Sequence, residues 1–319
     1  MGEERRVHDY QIIDSGDKRI LIFGGNRYET VYSRKLIELI IERKGLARTP
    51  EYFVHKEKRE YLLLPLFNYL NSHGYKGLRV LEVGCSGGQF TELLNKQDCF
   101  GQIYSYDIDK LLVEVTKTKV DELGLNKVKQ VDCFSSRETT SLPYENNFFD
   151  VIIVSSVLEH LPFENRYIYV DEYYRKLKTG GLIAFLDTPN RNYPLESHSV
   201  GLPFISKFSA QTAFIYAKLF GKLKGVDFPE FVRAGTGWRN ASYYDCLPKT
   251  LFFVVKDVSE EMDYGYAFFK KMRRTMRSKI FILPFLSLIR FIALRLDFPV
   301  SFFLPYLNVV FKKTHDYEK

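Results

Sequence analysis

From residue 78 onward, short apolar runs alternate with amphipathic segments, and this constrains the fold more than any other feature of the 319-residue chain. The runs are RVLEV, GQIYSYDI, KVKQVDC, FDVIIVSSV and GLIAFLDT; the segments GGQFTELLNKQ, DKLLVEVTKTKVDELG and NRYIYVDEYYRKLKTGG read as helices. Apolar strands alternating with helices predict βαβ units and a mainly parallel sheet. Ligands of such sheets bind outside the carboxyl ends of the strands. The first run ends there in a glycine-rich stretch, VLEVGCSGGQF, residues 80–90.

Spacing excludes two phosphate ligands for that loop. A phosphate-cradling loop needs Gly, four spacers, then Gly-Lys-Ser/Thr, but counting from Gly84 puts Gln89 and Phe90 in those places. A dinucleotide fingerprint needs glycine at its first, third and sixth positions; here these are Gly84, Ser86 and Gln89. Glu82, just before the loop, would repel phosphate and attract a cation, so a ligand with an ammonium or sulfonium group suits the site better. Asp107 ends the second run in YSYDID, 23 residues past Gly84, where a carboxylate can accept both hydroxyls of a ribose. It lies nearer the strand end than Asp109. Behind the third run, Asp132 and Cys133 can contact an adenine amino group and ring edge. Either acid could instead only cap a helix.

The elements before the sheet read as a layer laid over it. YQII and KRILIF, joined by DSGD, form a strand pair. ETVYSRKLIELIIERKG places Val31, Leu36, Ile37, Ile40 and Ile41 at helical intervals, with Gly45 as a C-cap. A second helix runs through KEKREYLLLPLFNYLNSHG, with Pro65 kinking or dividing it. TLFFVVKDVS and FLPYLNVVFKK add two late strands. The expected organisation is a hairpin and helical layer over 1–75, a core over 76–261, a helical insertion over 262–300, and a last strand and tail over 301–319.

LEVGCSGG, YDID, VDC, LPYENNFFDVIIVSSVLEHL and LKTGGLIAFLDTPN, in that order, resemble the class I S-adenosylmethionine-dependent methyltransferases over residues 78 to about 190. The resemblance extends to quinone-biosynthesis-type and related small-molecule or lipid-linked O-methyltransferases. It implies an α/β fold with a doubly wound, mainly parallel seven-stranded Rossmann-like sheet, and S-adenosylmethionine as cofactor. Glu82, Gly84, Ser86 and Gly88 would hold the methionine part, Asp107 the ribose, and Asp132 with Cys133 the adenine. Cys85 and Ile108 count among the same cofactor-binding residues, and Ser155 would lie near the sulfonium. Ser86 departs from the family's usual glycine.

Where the methyl acceptor is a hydroxyl, a general base helps, and histidine suits that task near neutral pH. His160 in VLEHLP and His198 in NYPLESHSVGLPF fall near the expected mouth of the site, though either could be structural or solvated. Glu159 and His160 are similar to part of an E-x-x-E-H metal cluster of ubiquinone-biosynthesis O-methyltransferases, but Ser156 replaces the first acid. Two protein ligands are thin for a divalent cation, so no required metal is expected. The loop DTPNRNYPLESHSVGLPF is expected to line the acceptor pocket through Asn190, Arg191, Glu196 and His198, or else to be held by its own hydrogen bonds.

A hydrophobic share of 45% with 27% charged residues reads as globular. Four scattered cysteines without a CxxC pair indicate a reducing compartment and no structural zinc. MGEERRVHDY has no apolar signal core, and Arg6 stands where a myristoylation signal needs Ser or Thr, so a cytoplasmic protein is expected. The net charge of +7 is concentrated, because KKMRRTMRSK at 270–279 holds six basic groups and no acid. IFILPFLSLIRFIAL, 280–294, is too short and interrupted to span a bilayer. Together the two segments suit the surface of an anionic membrane, or else pack as core or dimer interface. The expected partner is a small or lipid-linked acceptor. An RNA acceptor and a non-catalytic cofactor-binding subunit are the alternatives, but no base-stacking NPPY-type tetrapeptide is present, so nucleic acid is not expected.

Overall fold

A computed structural model describes residues 10–53, 56–196, 198–235, 237–249, 255–264 and 299–315, and within 265–298 only 288, 291–293 and 295. The basic run at 270–279 and most of the apolar segment after it lie outside the described residues. So does the start of TLFFVVKDVS. Among the described residues, no helix is long and apolar enough to cross a membrane.

The described chain divides into two compact units: residues 1–77 with 84–135, and 78–83 with 136–319. The first opens on an antiparallel meander of β1 (Gln11–Ser15), β2 (Lys18–Phe23) and β3 (Asn26–Thr30). Where hydropathy predicts two strands, there are three, and the next helix begins later than its apolar spacing suggests. The third strand is NRYET, too polar to show as an apolar run. Its Tyr28 ring stacks on Phe23 at 5.7 Å, so cross-strand packing identifies it where hydropathy does not. Helix α1 (Arg34–Lys44) starts only after Ser33, whose side chain accepts from the Leu36 N–H. Val31 therefore stands outside the helix and is exposed, while Leu36, Ile37 and Ile40 are buried. Helix α2 (Lys56–Ser72) continues past Pro65 as one element and is not divided by it. Pro65 removes one rung of the ladder, but Leu62, Leu63, Leu66, Phe67 and Leu70 bury the flanking turns and hold them in register.

Then follow β4 (Leu78–Val83), α3 (Gln89–Asn95), β5 (Phe100–Asp107), α4 (Lys110–Leu123), β6 (Val128–Cys133), β7 (Phe149–Ser155), α5 (Arg166–Lys176), β8 (Leu177–Pro189), α6 (Ala210–Leu219), α7 (Phe228–Ala234), β9 (Val255–Asp257) and β10 (Tyr306–Lys313). One seven-stranded sheet has the order β6-β5-β4-β7-β8-β10-β9. It is mainly parallel, as the alternating pattern requires; β10 alone runs antiparallel to its neighbours β8 and β9. Val80, Leu81, Ile152, Ile153, Val154, Ile183, Ala184 and Phe185 are all buried, as in a sheet covered on both faces. The strand order reverses between β4 and β7, the switch point at which open α/β sheets bind ligands.

Candidate functional site

In the first unit the glycine loop is tied to the end of β5. The N–H groups of Gly84 and Cys85 both donate to the Tyr106 carbonyl at 2.9 Å. Gly88 closes the loop by donating to the Cys85 carbonyl at 2.9 Å. Ser86 is held at φ 51°, a left-handed conformation that disfavours a side chain and accounts for glycine as the usual residue there. Its N–H donates to Asp107 Oδ2 at 2.8 Å and its carbonyl accepts from Thr116 Oγ1 at 2.8 Å. A Cβ on Gly87 would stand 2.5 Å from the Tyr52 ring. Gly87→Ala is therefore expected to displace Tyr52 and lower folding stability by about 1–3 kcal/mol, the usual scale of overpacking. Melting curves of the variant and wild type measure it.

The two acids of YDID differ in their partners. Asp109 Oδ1 caps α4, accepting from the N–H groups of Leu111 and Leu112, and Oδ2 takes Arg43 Nε at 2.5 Å. Asp107 accepts only the Ser86 N–H and, through Oδ1, the Asp109 N–H at 3.0 Å. A carboxylate offers about four acceptor positions, so Asp107, only partly buried, keeps capacity for two further donors. That matches the two hydroxyls of a ribose. Ile108 beside it is 60% exposed, an apolar surface next to the exposed Cys133, whose Sγ lies 4.0 Å from the Ile108 carbonyl. The β5–β6 register puts Asp107 opposite Cys133 and Tyr106 opposite Asp132. Asp107, Ile108, Asp132 and Cys133 thus share one edge, and that set fits an adenosine. Neither Asp107 nor Asp132 lies at an N-cap; Asp109 does that work.

In the second unit, Glu82 is buried in β4 opposite Ile153, and Ser155 ends β7 opposite Leu186. Ser156 just after β7 and Asp187 within the last three residues of β8 are both at φ 51°. They are joined by a 3.3 Å hydrogen bond from Ser156 Oγ to Asp187 Oδ2. Two left-handed non-glycine residues side by side are strain of the kind that clusters at functional sites, and nothing in the sequence signals them. His160 closes the short turn Leu158–His160 and is exposed. Glu159 turns inward: it is 5% exposed, and neither carboxylate oxygen has a hydrogen-bond partner. Burial pushes its carboxyl up to about 8, with Asp187 adding to the shift and Arg166 opposing it. Among the described residues, no group of three His, Cys, Asp or Glu side chains gathers as a metal site.

The four loop residues separate. Asn190 is buried, its amide donating to the carbonyls of Ser301, Phe302 and Leu304. Glu196 is also buried, and its two oxygens accept the N–H groups of His198, Ser199, Val200 and Gly201. His198 is exposed, its ring edge-on to Tyr306 at 6.4 Å. Arg191 alone lines a cavity, of about 540 Å³, with Phe163, Lys207, Trp238 and the start of α6.

Residues 81–185 match the family described as "Methyltransferase domain". A demethylmenaquinone methyltransferase of Staphylococcus aureus is 29% identical over 150 residues, which are 47% of this chain and 57% of that protein. The chain therefore spans little more than half the length of that relative. Among solved structures it is similar to an S-adenosylmethionine-dependent methyltransferase from Aquifex aeolicus (23% identity, TM-score 0.36, 51% of this chain and 81% of that one). Another such enzyme, from Clostridium acetobutylicum, has 17% identity and a TM-score of 0.37 over 43% of this chain and 53% of that one. The family match falls on the strands that carry the glycine loop and Asp107, and residues 81–185 match a methyltransferase domain.

Proposed function

We propose that the chain transfers the methyl group of S-adenosylmethionine to an oxygen of a small or lipid-linked acceptor. The observation that carries this is Asp107, placed at the end of β5 with two acceptor positions to spare, beside a loop whose spacing excludes a pyrophosphate. When bound, S-adenosylmethionine supplies a sulfonium methyl that is displaced in line, leaving a neutral thioether. The chain's own part is alignment, the main source of rate when the leaving group is good. Gly84, Cys85, Ser86 and Gly88 fix the loop, with Glu82 supplying negative charge toward an ammonium or sulfonium. Asp107 takes the ribose, and Ile108, Asp132 and Cys133 the adenine. The name of the Staphylococcus aureus relative, demethylmenaquinone methyltransferase, supports a small-molecule acceptor. Label from methyl-labelled S-adenosylmethionine is expected in a lipid or small-molecule fraction; incorporation into RNA alone would overturn the acceptor class.

His160 and His198 are the proposed proton acceptors. Each is exposed, so an alanine variant of the acting base should keep cofactor affinity and lose turnover about 10²-fold, the low end for a general base. Single-turnover rates of both variants test this, and full rates in both would remove histidine from the reaction.

A surface on α6 favours a lipid-linked acceptor. Ile215, Leu219 and Phe220 are 58%, 79% and 60% exposed, with Lys218, Lys222 and Lys224 among them, the pairing of apolar and basic groups that an anionic membrane surface takes. Sedimentation with anionic vesicles is expected at low salt, less at high salt, and reduced by Leu219→Glu. Protein left in the supernatant at low salt would contradict it.

A further inference from the structure

The cavity beside Arg191 lies wholly within the second unit, where the chain leaves β7 and β8. Its volume, about 540 Å³, suits a small molecule. Its walls combine two chemistries. One is flat and apolar: Phe163, Phe208, Phe228 and the indole of Trp238, whose centroid is 6.3 Å from that of Phe163. The other is positive. The Arg191 guanidinium lies 4.6 Å from the centroid of the Phe163 ring, and its buried Nη1 has no hydrogen-bond partner. Among the described residues Arg191 forms no salt bridge. The nearby carboxylate, Asp245, is already taken by Arg166 and by the N–H and hydroxyl of Ser242. Lys207 also faces the cavity and spends only one donor, on Asn192 Oδ1 at 2.9 Å. Partial desolvation at the cavity mouth lowers the Lys207 ammonium below its ordinary range, and the charge of Arg191 lowers it further. Among the described residues, these two cations thus meet with no carboxylate in a salt bridge to either.

Two further donors point to the same missing group. The cavity is floored by the N-cap Ser209 and by Ala210 and Gln211, which open the ten-residue α6; the Ser209 side chain accepts the Thr212 N–H, and the N–H groups of Ala210 and Gln211 have no intrahelical acceptor. Such a helix start favours an anion. The Trp238 indole N–H is buried in a residue only 8% exposed and has no partner. A buried donor left unmade is unfavourable by more than an ordinary hydrogen bond returns, so unpaired Arg191 and Trp238 donors at one cavity call for an acceptor from outside the chain. The lone acid of the lining, Glu164, is exposed at the rim.

We propose that this cavity binds a carboxylate or phosphate borne on a flat apolar body, with Arg191 and Lys207 holding the anion and Phe163 and Trp238 the body. That this anion belongs to the methyl acceptor rests on the methyltransferase reading above; the binding site itself does not. The acceptor would then be an acidic molecule, not a neutral one.

Trp238 is the one tryptophan in the chain, so its emission reports occupancy without any turnover. Titration of the full chain with benzoate and with phenyl phosphate is expected to give a saturable change with at least one of them, and benzyl alcohol at equal concentration none. The two acids distinguish carboxylate from phosphate. Arg191→Gln and Lys207→Gln should each weaken the response about 10-fold or more, as the loss of a charge-assisted hydrogen bond does. Lys207 is exposed, so its variant decides the matter if Arg191→Gln fails to fold. No saturable change, an equal change with benzyl alcohol, or unaltered affinity in the folded variants would overturn the proposal. Calorimetry with S-adenosylmethionine on the same samples keeps the two ideas apart. Cofactor binding without an anion response rejects the cavity assignment alone, and an anion response without cofactor binding rejects the methyltransferase reading alone.

Discussion

Asp107→Ala is expected to weaken S-adenosylmethionine binding by about 2–4 kcal/mol, or roughly 30- to 1,000-fold. Two losses add. Two charge-assisted hydrogen bonds to the ribose disappear, and so do the acceptors that hold the Ser86 and Asp109 N–H groups. Ser86 sits in a left-handed conformation, and without Asp107 its strain is less well opposed. Asp107→Asn separates the two contributions. An amide oxygen can still accept from the Ser86 N–H, but the negative charge is gone, so Asn should recover part of the loop's order and little of the ribose binding. Asp109→Ala, by contrast, removes a helix cap and the ion pair with Arg43. It should lower stability by about 1 kcal/mol with a much smaller effect on the cofactor. Titration calorimetry and thermal melting on the three variants read both effects. Equal cofactor loss from Asp107→Ala and Asp109→Ala would mean that the wrong acid has been assigned.

Glu159→Gln should stabilise the protein at alkaline pH by about 3–5 kcal/mol. The folded carboxyl is pushed from the ordinary 4.5 up to about 8 by burial. Between those values the folded chain keeps a proton that the unfolded chain has released. Stability therefore falls as pH rises from 4.5 to 8 and is level above that. Glutamine has the same shape and no charge to bury, so the variant should lack this slope. The two proteins should melt together near pH 4.5, and the variant should melt at least several degrees higher at pH 9. Parallel melting-temperature profiles from pH 4.5 to 9 would show that Glu159 finds a cation or water that lets it ionise.

The sheet was legible because buried parallel strands need unbroken apolar runs, and RVLEV, FDVIIVSSV and GLIAFLDT supply them. The strand-end positions of Gly84, Asp107 and Cys133, within about 50 residues of one another, were legible for the same reason. β3 was not, since NRYET owes its place to pairing with β2 and to Tyr28 on Phe23. In the loop after β8, composition marked Asn190, Arg191 and Glu196 alike as polar candidates. Asn190 and Glu196 are spent on backbone groups while Arg191 keeps a buried Nη1 unpaired, a difference set by the fold and not by residue type. The cavity around Arg191 draws on Phe163 and Trp238, 75 positions apart, and no periodicity joins such residues.

The most direct measurement is calorimetric titration of the wild-type chain with S-adenosylmethionine, its demethylated product S-adenosylhomocysteine, and NADH in turn. Binding of the first two with one-to-one stoichiometry, and no heat from NADH, is the expected result. Binding of NADH with indifference to S-adenosylmethionine would contradict the assignment of the glycine loop and of Asp107.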